Sequence, residues 1–299
     1  MIHKRIYIIF LCSLLTFSKA RAQEQPIAEF FCGAELSYAD VNFMRLYNVL
    51  INFTPGAKIN LGHDWQVALQ ARVPLINEGY PWRESWLRMS MANVSKELHF
   101  TNAHQHFKIT GGLFGKGRYG GDLRWMFPVN SWLMFHAQAG ITNRWALGTN
   151  MIRDGESDFE TKKWNVTGLV GGSIWLDRWA TELRATGGRY LNKDYGVEGE
   201  IVRHFNHCSV TMFAQYHEQA PSDYIKGTHK HGVGFRIVMM LPPYKKPHKD
   251  VVVRPASNFR LTYNAQADGY SMRKYTTDPE ENERTYPIHI PWGTGNFNE

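Results

Sequence analysis

Apolar and polar positions alternate with a period of two along most of the chain after residue 22. Between Trp132 and Thr142 the odd positions carry Leu133, Phe135, Ala137, Ala139 and Ile141, and the even ones His136, Gln138, Gly140 and Thr142. Between Trp179 and Gly188, Leu183 and Ala185 alternate with Glu182, Arg184 and Thr186. Successive side chains on a strand point to opposite faces, so each stretch has one apolar and one polar face. Twelve such stretches, rich in aromatic and β-branched residues and bounded by Gly, Asn, Asp or Pro, predict strands near 28–38, 43–54, 65–75, 84–96, 106–115, 119–127, 132–142, 164–176, 179–190, 194–204, 208–217 and 230–241. No amphipathic helix of useful length competes with them.

Segments of about ten residues, apolar on one side and charged on the other, suit a wall between lipid and an aqueous lumen. The connections support this. Gly62–Asp64, Pro128–Ser131, Asp177-Arg178 and Phe205–His207 are tight, whereas 76–83, 143–163 and 218–229 are longer. Outer-membrane barrels combine short periplasmic turns with longer outer loops. Ala39–Asn42 and Leu191–Lys193 are short outer loops on this reading, and Glu97–Gln105 is a long inner turn. Trp65, Trp125, Phe127, Trp132, Trp175 and Trp179 flank the tight turns. Tyr80, Trp82, Trp86, Tyr119, Trp145, Trp164, Tyr190, Tyr195 and Tyr216 lie toward the other rim, as in two interfacial girdles. The expected fold is therefore all-β, a 12-stranded antiparallel transmembrane β-barrel with an irregular periplasmic C-terminal tail. The barrel spans 23–241. Residues 242–299 begin with a basic, Pro-rich linker and contain one strand-like run, Phe259 to Ala267, and an acidic Pro279-Glu280-Glu281 patch.

Residues 1–22 read as a cleaved signal peptide. Lys4 and Arg5 precede an apolar run from Ile6 to Phe17, and Ala20-Arg21-Ala22 is a small-residue cleavage site. Its four cations, Lys4, Arg5, Lys19 and Arg21, carry most of the excess charge: without them the formal net charge falls from +7 to +3. The basic balance thus argues for no nucleic-acid partner. No later stretch approaches the roughly 20 apolar residues of a membrane helix, so a membrane protein of this composition must cross as a closed sheet. The localisation expected is the outer membrane of a Gram-negative bacterium. Cys32 and Cys208 fall on strands with one strand between them, roughly 9–10 Å apart, and are expected as two free thiols.

Assigning faces by alternation places Arg72, Arg88, Asp122, Arg124, His136, Gln138, Glu182, Arg184, Glu198, Glu200 and Arg236 in the lumen, with Lys108, Thr110, Ser209, Thr211 and Gln215 beside them. Neighbouring strands pair opposite signs there. That pattern fits an internal ion-pair network that fills the barrel, since buried charges need partners. It fits a polar conduit or sugar-binding lining equally. A barrel hydrolase is the alternative from another class, but Ser90, Ser173 and Ser209 lack a nucleophile motif and no catalytic residue is assigned. A structural, adhesin-like barrel with a plugged lumen is the third reading. His204, His207, His229 and His231 split between the two ends and do not converge on one ion, so neither a metal nor a cofactor is expected. Gly111-Gly112, Gly171-Gly172 and Gly187-Gly188 sit inside strand patterns and read as kinks or bulges.

Three stretches carry a resemblance. They are Asn48–Leu75, with its Pro-Gly turn, Gly-x-x-Trp hairpin and Pro-Leu strand end; Gly188–Phe205, with Gly-Arg-Tyr-Leu-x-x-Asp-x-Gly; and Arg273–Pro279. In this order they resemble the YjbH-like (GfcD-like) outer-membrane proteins of exopolysaccharide and capsule clusters, in particular the barrel part at the C-terminal end of those proteins. The resemblance implies an outer-membrane β-barrel linked to polysaccharide export or assembly, and supplies no catalytic residues. The partners it suggests are outer-membrane lipid, polysaccharide, and periplasmic export components reached through residues 242–299.

Overall fold

A computed structural model describes residues 26–39, 48–78, 86–115, 117–144, 164–218, 229–242, 250–256, 259–264, 272–288, 290 and 292. The signal peptide, Arg45, Tyr80, Trp82, Trp145 and most of the longer connections lie outside these residues. The described chain is all-β, with two short 3-10 turns as its only helical elements. No helix in it is long and apolar enough to cross a membrane.

The strands are β1 (Ala28–Cys32), β2 (Ala34–Ala39), β3 (Asn48–Phe53), β4 (Gly56–Gly62), β5 (Trp65–Glu78), β6 (Arg88–Phe100), β7 (Gln105–Phe114), β8 (Arg118–Pro128), β9 (Leu133–Arg144), β10 (Asn165–Leu176), β11 (Thr181–Arg189), β12 (Tyr195–His204), β13 (Cys208–Glu218), β14 (His229–Met239), β15 (Val251–Pro255) and β16 (Phe259–Asn264). They form one sheet. Its hydrogen-bonded path runs β15, β1, β4, then β5 to β14 in chain order, then β16. From β4 to β14 every pair is an antiparallel neighbour pair, as the alternation and the tight turns dictate.

Several expectations are corrected. The first predicted strand is split at Gly33 into β1 and β2. The second does not stop at Pro55-Gly56 but resumes as β4, because Pro55 costs a ladder donor without ending the extended course. The connection expected from Glu97 to Gln105 is short: β6 runs to Phe100, and a single 3-10 turn with His104 at φ 50 leads into β7. The sheet also does not end at residue 241. Two further strands join it, β15 parallel to β1 at one end of the path (Ala28 opposite Val251, Cys32 opposite Pro255) and β16 antiparallel to β14 at the other (Gly234 opposite Asn264, Met239 opposite Phe259). The described residues thus hold sixteen strands where twelve were expected. Cys32 and Cys208 are both free thiols.

The tight turns stand at one end of the sheet. At 62–64, Gly62, His63 and Asp64 all take positive φ. At 128–132 the Asn130 carboxamide accepts from the backbone N–H groups of Trp132 and Leu133. At 177–180, Ala180 closes the 3-10 turn at φ 41. Two of the glycine doublets are places of close backbone approach. Gly112 (φ 136) and Gly188 (φ 146) would each drive a Cβ to 2.5 Å or less from a carbonyl oxygen of the neighbouring strand.

Burial along the strands is inverted relative to a water-soluble sheet. On β12, Val197 and Ile201 are exposed, while Glu198 and Glu200 between them are buried. On β8 Leu123 is exposed, and Asp122 and Arg124 on either side are buried. Val170 and Met212 are each 66% exposed. Trp132, Trp179, Trp86, Trp164, Tyr195 and Tyr216 are exposed as well. Trp175 and Tyr190, expected in the girdles, turn the other way and are buried on the polar side.

Candidate functional site: the polar face and the segment that covers it

The tail is where structure and expectation differ most. Its described residues, 272–288, 290 and 292, are not appended outside the sheet. They run along its polar face from the end opposite the tight turns to the tight-turn end. At the far end, Leu191 donates its backbone N–H to the Arg273 carbonyl (3.1 Å), Gly115 donates to the Thr276 carbonyl (2.9 Å), and Met272 donates to the Asp194 carboxylate (2.6 Å). Midway, the Tyr275 hydroxyl donates to Asp122 (2.6 Å) and its ring stacks on Phe114 at 5.4 Å. Asn93 donates to the Thr277 carbonyl at 2.9 Å. At the tight-turn end the Arg284 guanidinium donates to the carbonyls of Phe205, Cys208 and Asn206 at 2.6, 2.6 and 2.9 Å, and Trp292 Nε1 donates to the Asn130 carbonyl. Met126, Met134, Trp175, Ile288 and Trp292 form a small apolar cluster there, which is what draws Trp175 inward.

Two glycines make room for this segment. A Cβ on Gly140 would sit 1.7 Å from the Tyr275 hydroxyl, and one on Gly115 would sit 2.2 Å from Thr276 Oγ1. Period-two reading assigns Gly140 to the polar face but has no way to assign the reason.

The wall charges form a network among themselves. Arg124 donates through Nε to Asp122 (3.0 Å), which also accepts from Gln138 (2.7 Å). Arg184 is held by Glu182 at 3.0 and 2.9 Å and reaches Glu200 at 3.4 Å. Arg236 spans Glu200 (2.5 Å) and Glu198 (3.0 Å), and Gln215 donates to Glu198. Lys108 pairs with Glu97 at 3.2 Å. Register explains these contacts. Asp122 faces Thr110, Arg124 faces Lys108 and Gln138, Arg184 faces Glu200, and Arg236 faces Thr211, so residues of one face meet across adjacent strands.

Of the residues expected in the lumen, Asp122, Arg124, Gln138, Glu182, Arg184, Glu198, Glu200 and Arg236 belong to this network. His136 lies on the same face but joins it only at its edge, its Nε2 at 3.1 Å from the Thr186 hydroxyl. Arg72 and Arg88 are half-buried and directly opposite each other on β5 and β6, nearer the far end. Ser90 bonds Gln70, while Ser173 and Ser209 are fully buried. His204 and His207 stand at the β12–β13 turn, and His229 and His231 at the opposite end of β14.

The alternation did not reveal a second layer of charge brought by the tail. Arg124 makes two further bonds to Glu281, at 2.8 and 3.0 Å. Arg236 reaches Glu283 (3.0 Å), Lys58 reaches Asp278 (2.7 Å) and Glu280 (3.4 Å), Lys274 reaches Glu198 (2.9 Å), and the Tyr286 hydroxyl donates to Glu182 (3.0 Å). Arg254 of β15 binds both oxygens of Glu280 at 2.6 Å and also Glu29 at 2.8 Å. The signal for this layer was the acidic patch at 279–281 in a chain with many strand-borne cations.

Burial alone would raise the tail carboxyls, but the cations around them outweigh it. Lys58, with Lys108 behind it, lowers Asp278 from 3.8 to about 2. Arg260 and Arg236 lower Glu283 from 4.5 to about 2. The fit is close. A cavity of about 10 Å³ remains between β10, β11 and the tail, room for about one water molecule. Comparison with protein-family models, with curated proteins and with solved structures returned no match.

Proposed function

We propose that the chain is an outer-membrane β-barrel protein, without a catalytic role, that serves exopolysaccharide or capsule export or assembly. Segment 251–264, in contact with β1 on one side and β14 on the other, would be the strand that closes the sheet. The observation that carries the membrane reading is the inversion of burial: Glu198 and Glu200 buried between exposed Val197 and Ile201, a pattern repeated on the other strands. An apolar face this extensive is unfavourable against water, and hydrocarbon is the medium that suits it. Closure also removes the unpaired strand edges that lipid does not tolerate. The link to polysaccharide rests on the resemblance of Asn48–Leu75, Gly188–Phe205 and Arg273–Pro279 to the YjbH-like proteins.

Fractionation and gel mobility test the class. The mature protein is expected in the outer-membrane fraction, migrating differently with and without boiling. A soluble periplasmic product overturns the reading. A second reading, a structural barrel with a plugged lumen, is favoured by one observation: residues 272–288 lie along the polar face. Planar-bilayer conductance separates the two, since a permanent plug gives no current under any condition, whereas an export component opens when its tail is displaced.

A further inference from the structure

The tail brings four carboxylates, Asp278, Glu280, Glu281 and Glu283, to a set of cations from different strands: Lys58 on β4, Arg124 on β8, Arg236 on β14, Arg254 on β15 and Arg260 on β16. Arg124 and Arg254 grip Glu281 and Glu280 through both carboxylate oxygens. This planar, two-pronged geometry distinguishes a carboxylate from a diffuse anion.

Three of these cations also have carboxylate partners on the strands. Asp122 holds Arg124 through Nε while the tail takes Nη1 and Nη2; Glu198 and Glu200 hold Arg236 and Glu29 holds Arg254, in each of which one nitrogen is shared between the wall and the tail. When the tail leaves, these wall pairs survive and the donors that bound the tail carboxylates are open: both Nη of Arg124, Nη1 of Arg254, and the share of Arg236 Nη1 taken by Glu283. The wall carboxylates temper the attraction, so contacts with an entering polymer are individually weak. A moving chain requires that: binding good enough to enter and weak enough to leave.

Hydroxyl groups give a second, independent observation. Thr110 on β7 and Ser209 and Thr211 on β13 are at most 1% exposed, lie on this same face beside Asp122 and Arg236, and their side-chain oxygens have no hydrogen-bond partner. Buried hydroxyls without partners are costly unless something satisfies them. The hydroxyls of a sugar chain are suitable partners, in the same place where carboxylate-binding forks stand.

We infer that the polar face is a binding track for a linear polyanionic glycan, built of uronate-type sugars, and that the acidic stretch Asp278–Glu283 occupies the track as an internal stand-in for it. The inference rests on the membrane-barrel reading and names the substrate class for it. Ligand and tail compete for the same forks, so each displaces the other.

The test uses the full mature chain in detergent micelles and follows amide hydrogen exchange in residues 272–288. Tetragalacturonate is the probe, and maltotetraose at matched ionic strength is the neutral control. Tetragalacturonate is expected to speed exchange of the tail by at least about threefold while maltotetraose leaves it unchanged. No response, or the same response to both sugars, overturns the proposal. A full-length variant carrying Asp278→Asn, Glu280→Gln, Glu281→Gln and Glu283→Gln is expected to bind tetragalacturonate at least about tenfold more tightly than the parent. Equal affinity counts against competition, and should the variant fail to fold, the exchange result on the parent decides alone. Failure of the membrane reading shows separately, as loss of outer-membrane fractionation and of heat-modifiable mobility, whatever the sugars do.

Discussion

Arg124 on β8 and Glu281 on the tail, 157 residues apart in the chain, meet through two parallel N–H···O bonds of 2.8 and 3.0 Å. Arg124 is meanwhile fixed from its other side by Asp122. The Glu281→Gln change therefore weakens tail docking without leaving a buried cation unpaired. The expected loss is about 1–3 kcal/mol of docking, the size of charge-assisted hydrogen bonds. Faster protease cleavage within 265–292, with unchanged heat-modifiable mobility, is the expected readout. Cleavage at the parent rate would mean that the tail is held by its other contacts.

Gly140 offers a steric version of the same test. The Gly140→Val change places atoms where the Tyr275 hydroxyl sits, since even a Cβ would lie 1.7 Å from it. The Tyr275–Asp122 bond and the stacking on Phe114 are expected to be lost together, exposing the tail. Gly121, on β8, has nothing within 4 Å of its Cβ position. The Gly121→Ala change is the matched control, expected to stay within about 0.5 kcal/mol of the parent. Equal exposure of the tail in both variants would overturn the steric account.

The outward face gives the most direct trial of the membrane reading. Val170 on β10 is 66% exposed. In water, Val170→Arg at such a position is nearly neutral. Facing hydrocarbon near the bilayer midplane, it costs about 2–4 kcal/mol. Lower folding yield into vesicles is expected for Val170→Arg and not for Val170→Leu. Indifference to the arginine would argue that this face meets no lipid.

Acid is expected to loosen the tail before it disturbs the sheet. The Asp278 and Glu283 carboxyls, on the tail and outside the strands, are held down to about 2 when docked, from ordinary values of 3.8 and 4.5. A carboxyl lowered by docking stabilises the docked form above its ordinary value and loses that contribution as pH falls toward the lowered one. Docking should be complete above about pH 5 and weaken progressively toward about pH 2. Tail hydrogen exchange, corrected for the intrinsic effect of pH, measures this. The variant Asp278→Asn, Glu283→Gln should show a smaller acid-dependent part, and an identical profile in that variant would sink the assignment.

Much of the architecture was legible in the chain. A period of two is a local property, written in neighbouring residues, and tight turns such as 62–64 and 177–180 carry their own chemistry. Strand positions, their pairing with chain neighbours, and the placement of Asp122, Arg124, Glu182, Arg184, Glu198, Glu200 and Arg236 on one face follow from that. Trp175 and Tyr190 were misplaced because a bulky aromatic near a strand end suits a lipid interface and an internal cluster equally well. The choice lay with Ile288 and Trp292 for Trp175, and with Leu169 and Met272 for Tyr190.

By itself, then, the sequence determined an all-β chain with one apolar and one charged face, because alternation needs only the geometry of a single strand. The tertiary structure decided what the charged face meets. Whether Pro279-Glu280-Glu281 hangs outside the sheet or lies against Lys58, Arg124 and Arg254 depends on where a non-repetitive segment returns after the last strand. No periodicity encodes that return: it follows from packing and charge pairing between residues of different strands and the tail, 157 positions apart for Arg124 and Glu281.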